Sequence, residues 1–417
     1  MRQTLFTIPY ELGGVPLFGA GLLLALWAAA SLVLLVRLVR RQGWNADTLG
    51  YLPVLAIGAA ALLFLPRMFP GGLPIRGYGV MMLLGSGSGL ALAVHRGRQM
   101  GIRAEVIFSL AFWMFLCGIV GARLFHVVEY WETSYRQDSW FDTALAIVNV
   151  PQGGLVVYGA LIGALVAFLL FAHRHALPAL AVADLIAPSM ALGLALGRIG
   201  CLLNGCCFGG ECQQSWAVHF PPGSPSYMRD VFEGRVTGDV MFADRFSDVV
   251  EVIAVAPNSN AEAAGLKIGQ QVLQVGQQVI FSAADVYHAL GAQAAAGAPL
   301  RMTVDRGREI VLSRLPIPSR SRPTHPTQIY SAVSALLLCW FLWQVYPFRR
   351  RDGQVIALLL TIYPVTRFLL EIIRTDEVPV FGTGLSISQN VSVVILVAVV
   401  CLWWYVSRQP RGSVLPA

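Results

Sequence analysis

The fold the sequence predicts is an all-α polytopic membrane protein of about nine transmembrane helices, with a small α/β extracytoplasmic domain inserted late in the chain. Three observations predict it. The 417 residues are 56% hydrophobic and only 13% charged, too apolar for a soluble protein of this length. Apolar runs of about 20 residues, the length that crosses a bilayer, recur along the chain. Between Glu211 and Gln328 this pattern stops and alternating apolar and polar residues replace it.

The spans fall at 16–37, 50–66, 78–95, 106–128, 155–172, 181–203, 329–346, 354–373 and 386–406, the second being short. The first reads as a retained helix. Leu17 to Val36 is long for a signal h-region, and Arg37, Arg40 and Arg41 follow it with no small-residue cleavage site. Arginines then collect on alternate loops: 37/40/41, 96/98/103, 174, 349–351 and 408/411. Positive charge accumulates on the cytoplasmic side, so the N-terminus is expected outside and the C-terminus inside. The net charge of +7 is thus read as topology, with no nucleic acid as partner.

This orientation places polar groups at the outer ends of several helices: Arg76 and Tyr78, Tyr158, the run Arg198 to Gly210, His325, and Arg367 with Glu371. A charge at membrane depth costs about 2.5–3.5 kcal/mol on insertion scales, so it marks a site by default. Singly, Arg76 and Tyr78 read equally well as interfacial anchors. Gly85 and Gly89, four apart, fit close helix packing. GxSxG fails at 85–89 because Gly87 is its middle residue, and HExxH is absent, which excludes a zinc metalloprotease motif.

In the insert, the run from Val250 to Val275 has two strand-like segments around a turn and a short helix. It resembles a PDZ domain over about 246–315, with Gln270 where that family usually has Asp and with Ala283 to Leu290 as the groove helix. The resemblance implies a peptide ligand added as a strand; a spacer that binds nothing is the other reading.

The motifs PIRGYGVMMLLG (74–85), GARLFHVV (121–128), GGLVVYGALIGALVA (153–167), ADLIAPSMALGLALGRIGCLLNGCCFG (183–209), WAVHFPP (216–222), HPTQIYSA (325–332), RFLLEIIR (367–374) and ISQNVSV (387–393) occur in that order. Together they resemble the prolipoprotein diacylglyceryl transferase family from about Gly72 to Trp404. The resemblance implies an inner-membrane enzyme that moves diacylglyceryl from phosphatidylglycerol to the lipobox cysteine of a preprolipoprotein signal peptide, with no cofactor. It implies seven helices, so the first two are an addition. Residues 8–27 loosely echo 69–84, as a partial duplication would. The expected domains are 1–70 (two extra helices), 71–225 (first part of the transferase core), 226–322 (insert) and 323–417 (last three helices). Nothing requires more than a monomer.

The chemistry suits these residue types. A departing phosphate needs cations, and Arg198 and Arg367 can grip it bidentately. Asn204 and the glycine amides of Gly205 and Gly209 can hold glycerol or ester oxygens, with Arg76, Tyr78 and His325 as further substrate contacts. Glu371, one turn from Arg367, either assists proton transfer or forms a buried ion pair with Arg367 or Arg374. The chain departs from the family at Tyr158, where the proposed base histidine usually stands; with an ordinary pKa of about 10, a phenol is a weak base at neutrality. His325, His126 and Glu371 are the other candidates for the proton. Cys201 and Cys206 replace the family's usual Asn and Glu. With Cys207 and Cys212 they form C-x4-CC-x4-C, which matches no standard zinc pattern, so no metal ligand is assigned; a disulfide of Cys206 or Cys207 to Cys212, a metal site of another kind and simple helix packing are the readings left open. Two further functions remain: a non-catalytic lipid or peptide binder, favoured by Tyr158, and a transferase with another acceptor.

Overall fold

The computed structural model describes residues 3–43, 45–68, 72–136, 139–148, 154, 156–235, 238–246, 249–375, 379–380 and 382–412. The start of the GGLVVYG motif lies partly outside them. The elements in order are β1 (Thr4–Ile8), β2 (Glu11–Leu12), β3 (Val15–Pro16), α1 (Leu22–Gln42), α2 (Ala46–Met68), β4 (Leu73–Arg76), α3 (Gly77–Gln99), α4 (Ala104–Glu129), α5 (Trp140–Val148), α6 (Val157–Arg174) and α7 (Ala179–Asn204). They continue as α8 (Pro225–Phe232), β5 (Val240–Phe246), β6 (Val249–Val255), α9 (Asn260–Ala263), β7 (Gln271–Val275), β8 (Gln278–Val279), α10 (Ala283–Ala295), β9 (Leu300–Val304), β10 (Arg308–Leu312), α11 (Thr327–Val345), α12 (Gln354–Ile373) and α13 (Ile387–Arg408).

Among the described residues, eight helices are long and apolar enough to cross a membrane: α1, α3, α4, α6, α7, α11 extended to Phe348, α12 and α13. This is a multi-pass membrane protein. Of the nine expected spans, the second falls within α2, in which Leu55–Pro66 is the apolar stretch among the described residues. The spanning helices are apolar on the outside as well as within. In α4, Phe112, Phe115, Ile119 and Val128 are exposed, whereas Gly118, Ala122 and Arg123 are buried. A bilayer rather than water suits such a surface.

The chain divides into two compact units. The unit of Met81–Ile199 and Thr327–Ala417 is built on close helix approaches. Gly121 and Gly163 sit where a Cβ would collide with the carbonyls of Gly159 and Cys117, so α4 and α6 meet backbone to backbone. Gly85 and Gly89 do the same for α3 on α7, as their spacing predicts: Cβ atoms there would lie 3.2 Å from the Gly193 carbonyl and 3.0 Å from that of Ser189. Asp184, fully buried in α7, accepts from the backbone N–H of Gly353 (2.7 Å) and Ile356 (2.8 Å). A carboxylate there satisfies donors that the first turn of α12 leaves open. Arg96 is stacked 3.7 Å over Trp343 and 4.5 Å over Tyr346 and donates to the Trp343 carbonyl.

The other unit holds Met1–Val80 and Gly200–Pro326. Here β1 pairs antiparallel with β4, with Thr4 opposite Arg76, and α1 and α2 form a hairpin in which the Trp27 indole packs on Gly58 and donates to the Leu55 carbonyl. The insert is a six-stranded sheet in the order β10-β9-β7-β6-β5, with β8 on β7, every pairing antiparallel. Its core includes Phe242, Val252, Tyr287, Leu290 and Met302, and Tyr227 and Val231 of α8 join it. Ser282 and Asp244 fix the start of α10, accepting from the N–H of Asp285 and Ala283.

Candidate active site

Within the helical unit, α12 carries Arg367 and Glu371 four residues apart, on one helix face, and Arg374 is the extended residue that caps its C-terminal end. The Glu371 carboxylate, 5% exposed, accepts from Arg367, from Arg374 Nη1 at 3.1 Å and from the Ser386 hydroxyl at 3.1 Å. Arg367 also donates to Ser388 Oγ at 2.7 Å. Both serines come from the start of α13, where Ser386 is the N-cap of a capping box with Gln389. Two guanidinium groups against one carboxylate leave a net charge of +1, an anion-attracting arrangement that also pairs each buried charge. Of the two roles open to Glu371, the geometry matches the ion pair, and it includes both arginines.

A second group in the same unit surrounds the start of α6. Buried Arg123 donates to the carbonyls of Ile147 (2.8 Å), Gly154 (3.1 Å) and Ala146 (2.7 Å), and its guanidinium lies 5.2 Å from the Tyr135 ring centroid. His126, one of the candidate bases, shares a 2.8 Å hydrogen bond with the Tyr135 hydroxyl and stacks on Tyr130. Gly154, at φ 79°, fits between them: a Cβ would lie 2.7 Å from both Arg123 Nη1 and His126 Cε1. Tyr158 follows in the first turn of α6, half-buried, after Val156 donates to the Ala122 carbonyl. Arg198 is half-buried in the last two turns of α7. Arg123 and the two serines were not among the residues expected from sequence. Arg123 lies inside the GARLFHVV motif, but a lone arginine there gives no hint that it gathers three distant carbonyls.

The other unit holds the remaining expected residues. Asn204 is the last residue of α7, and its carbonyl accepts from the Gln3 side chain at 2.9 Å. Gly209, buried, donates its N–H to the His325 carbonyl at 3.0 Å, and His325 returns a bond to the Gly210 carbonyl at 2.9 Å. That ladder continues through Cys212 to Pro323 and Val218 to Thr324, so the chain leaving the insert is zipped to the chain that enters it. Arg76 and Tyr78, both exposed, flank the junction of β4 and α3. His288 in α10 is held below the ordinary imidazole range by burial, with Asp285 opposing and the charge of Arg76 adding to the effect.

All seven cysteines are free thiols, and the thiol sulfurs of Cys201, Cys206 and Cys207 lie within 4.8 Å of one another. Cys206 is held above its ordinary value: the hydrogen bond with Cys201 works to lower it, but the bond with Cys207 and burial outweigh that. Cys212 is buried in the ladder with its own N–H on the Pro323 carbonyl.

Fold and site together define a multi-pass membrane protein that buries a cationic arginine–carboxylate cluster in its helical unit. A family profile for prolipoprotein diacylglyceryl transferase matches residues 66–405, and the chain belongs to that family. A phosphatidylglycerol–prolipoprotein diacylglyceryl transferase of Rhodopirellula baltica is 34% identical over 437 aligned positions, covering 95% of this chain and 88% of its own. Enzymes of the same description from Clostridium perfringens (33% identical, 39% of this chain and 63% of theirs) and Deinococcus radiodurans (36% identical, 32% and 40%) match over shorter stretches.

Proposed function

We propose that this protein transfers the diacylglyceryl group of phosphatidylglycerol to the lipobox cysteine of preprolipoproteins. The observation that carries the reading is the relative of that description aligned over 95% of the chain. The cysteine sulfur forms a bond to the glyceryl carbon as the bond from that carbon to the phosphate oxygen breaks. The electron pair leaves with glycerol phosphate, and the thiol proton passes to a base. We assign Arg198 and Arg367 to the phosphate, because charge develops on it as the bond breaks. Glu371 positions Arg367 and Arg374, and Tyr158 serves as a hydrogen-bond donor to the lipid head group. Asn204, Gly209, His325, Arg76 and Tyr78 are assigned to substrate binding. Neither Glu371, engaged by two guanidinium groups, nor Tyr158 is well suited as base, which leaves His126 and His325 as the imidazoles to test.

The alternating arginine loops support an outward-facing site and insert, with α2 as the ninth span. The same pattern supports the division 1–70, 71–225, 226–322 and 323–417. We read residues 246–315 as a PDZ-like fold, on the sequence run and on the order of strands around α9 and α10. A peptide would extend the sheet at β5, yet there the Phe242 N–H donates to the Tyr287 hydroxyl at 3.2 Å and the Asp239 N–H to the Pro316 carbonyl at 2.6 Å. Those contacts favour the spacer reading over the peptide-binding one.

The test uses purified protein in phosphatidylglycerol micelles with a lipobox peptide, following peptide mass and released glycerol phosphate. A diacylglyceryl mass gain is expected, with Arg198→Ala lowering the rate by about 10²–10³ and Tyr158→Phe by less. No gain from wild type while the lipid still binds would instead identify a binder.

A further inference from the structure

We propose that Cys201, Cys206 and Cys207 form a three-thiolate site for one soft d10 metal ion, Zn²⁺ or Cu⁺. The three sulfurs lie within 4.8 Å of one another, and all three residues are half-buried. An ion bound at about 2.3 Å from each sulfur requires sulfur separations of about 3.8–4.0 Å. From separations of at most 4.8 Å, the sulfurs would draw together by no more than about 1 Å on binding. Thiolates select this class of ion over hard cations.

The backbone is arranged for convergence. Cys201 lies in the last turn of α7, and Gly205 at φ 80° ends the helix, with the N–H groups of Gly205 and Cys206 both on the Cys201 carbonyl. Neighbouring side chains in extended chain point apart, but Cys207 takes a left-handed conformation at φ 58°, rarely adopted outside glycine and asparagine. That turn brings its thiol to the same side as Cys206. In the orientation proposed above the cluster faces an oxidising compartment, where a bound ion would keep three neighbouring thiols from pairing. The inference does not depend on the transfer reaction. Its consequence is mechanical: the ion would lock the turn at 205–207 to the end of α7, beside Asn204.

The test uses the full chain in detergent, reduced and stripped with a chelator, and titrated separately with Zn²⁺, with Cd²⁺ as its spectroscopic stand-in, and with Cu⁺. One equivalent of an ion is expected to bind, with sulfur-to-metal charge-transfer absorption and release of protons. Binding should weaken at least tenfold in Cys206→Ser and stay unchanged in Cys401→Ser. Mapping alkylation by mass spectrometry on wild type needs no variant to fold, and the ion should shield Cys201, Cys206 and Cys207 but not Cys401. Whichever ion the arms favour identifies the occupant. Equal alkylation of all three thiols with and without either ion, or a disulfide between two of them in the protein as isolated, would overturn the proposal.

Discussion

Replacing Glu371 by glutamine removes one charge while keeping shape and hydrogen-bonding atoms. In the native cluster the carboxylate opposes two guanidinium groups whose side chains are 12% and 6% exposed, so the change takes the cluster from +1 to +2 with almost no water to screen it. Removing one partner of a buried pair costs about 3–5 kcal/mol, and the retained amide oxygen and the serine contacts reduce that. A loss of about 2–3 kcal/mol of stability is expected, read as a lower melting temperature in detergent. The rate should fall about 10²–10³-fold, because Arg367 no longer points where the leaving phosphate needs it. Released glycerol phosphate, measured across pH and lipid concentration, separates positioning from proton transfer. With Glu371 as a positioning residue, the variant keeps the wild-type pH profile at a lower ceiling and a raised KM. A variant that loses the acidic limb of the profile with KM unchanged would refute the reasoning and make Glu371 the base.

Arg123→Ala should lower activity at least tenfold by releasing the carbonyls of 146, 147 and 154, and Arg123→Lys should recover only part, because one ammonium cannot span three acceptors; limited proteolysis around 146–154 is the direct readout. Gly163→Val drives a side chain into the Cys117 carbonyl, so α4 and α6 must separate, and a loss of at least about 2 kcal/mol is expected as a drop in folded yield and melting temperature, whereas Gly87→Ala, in open space, should be near neutral. His288 is harder to protonate in the folded chain than unfolded, so the unfolded state takes up the proton first and stability should fall as pH drops through the ordinary imidazole range near 6.5. Thermal melts at pH 7.5 and 5.5 should show the loss in wild type and a smaller one in His288→Asn.

What was legible in the sequence was whatever repeats along the chain. Hydrophobic runs of bilayer length give seven of the helices nearly whole, and the Gly85/Gly89 spacing foretells the α3–α7 approach, because helix geometry converts spacing directly into a face. Arg367 and Glu371 were legible for the same reason. Ser386 and Ser388 were not, since they lie on the next helix and only tertiary packing brings them to the carboxylate. Asp184 stood inside a quoted motif, yet its role depends on the first turn of α12, more than 160 positions away. The three thiols are the clearest case. The interval between Cys201 and the pair at 206–207 fits no familiar ligand pattern because the convergence depends on a left-handed residue, which cysteine rarely is. Strand β1 was hidden by its shortness, five residues whose partner among the described residues is another short strand.

That strand changes what the first 70 residues mean for anyone trimming the protein. A truncation starting at the family match would remove the strand that pairs with β4 from Leu73 to Arg76, together with the Gln3 amide on the Asn204 carbonyl. Helices α1 and α2 are thus tethered through β1 to the residues on either side of them, and a shortened chain would expose an open strand edge beside Arg76. A minimal enzyme cut to the length of the smaller relatives would be a different molecule at that corner, and its activity should be compared with the full chain before any property of Arg76 is read from it.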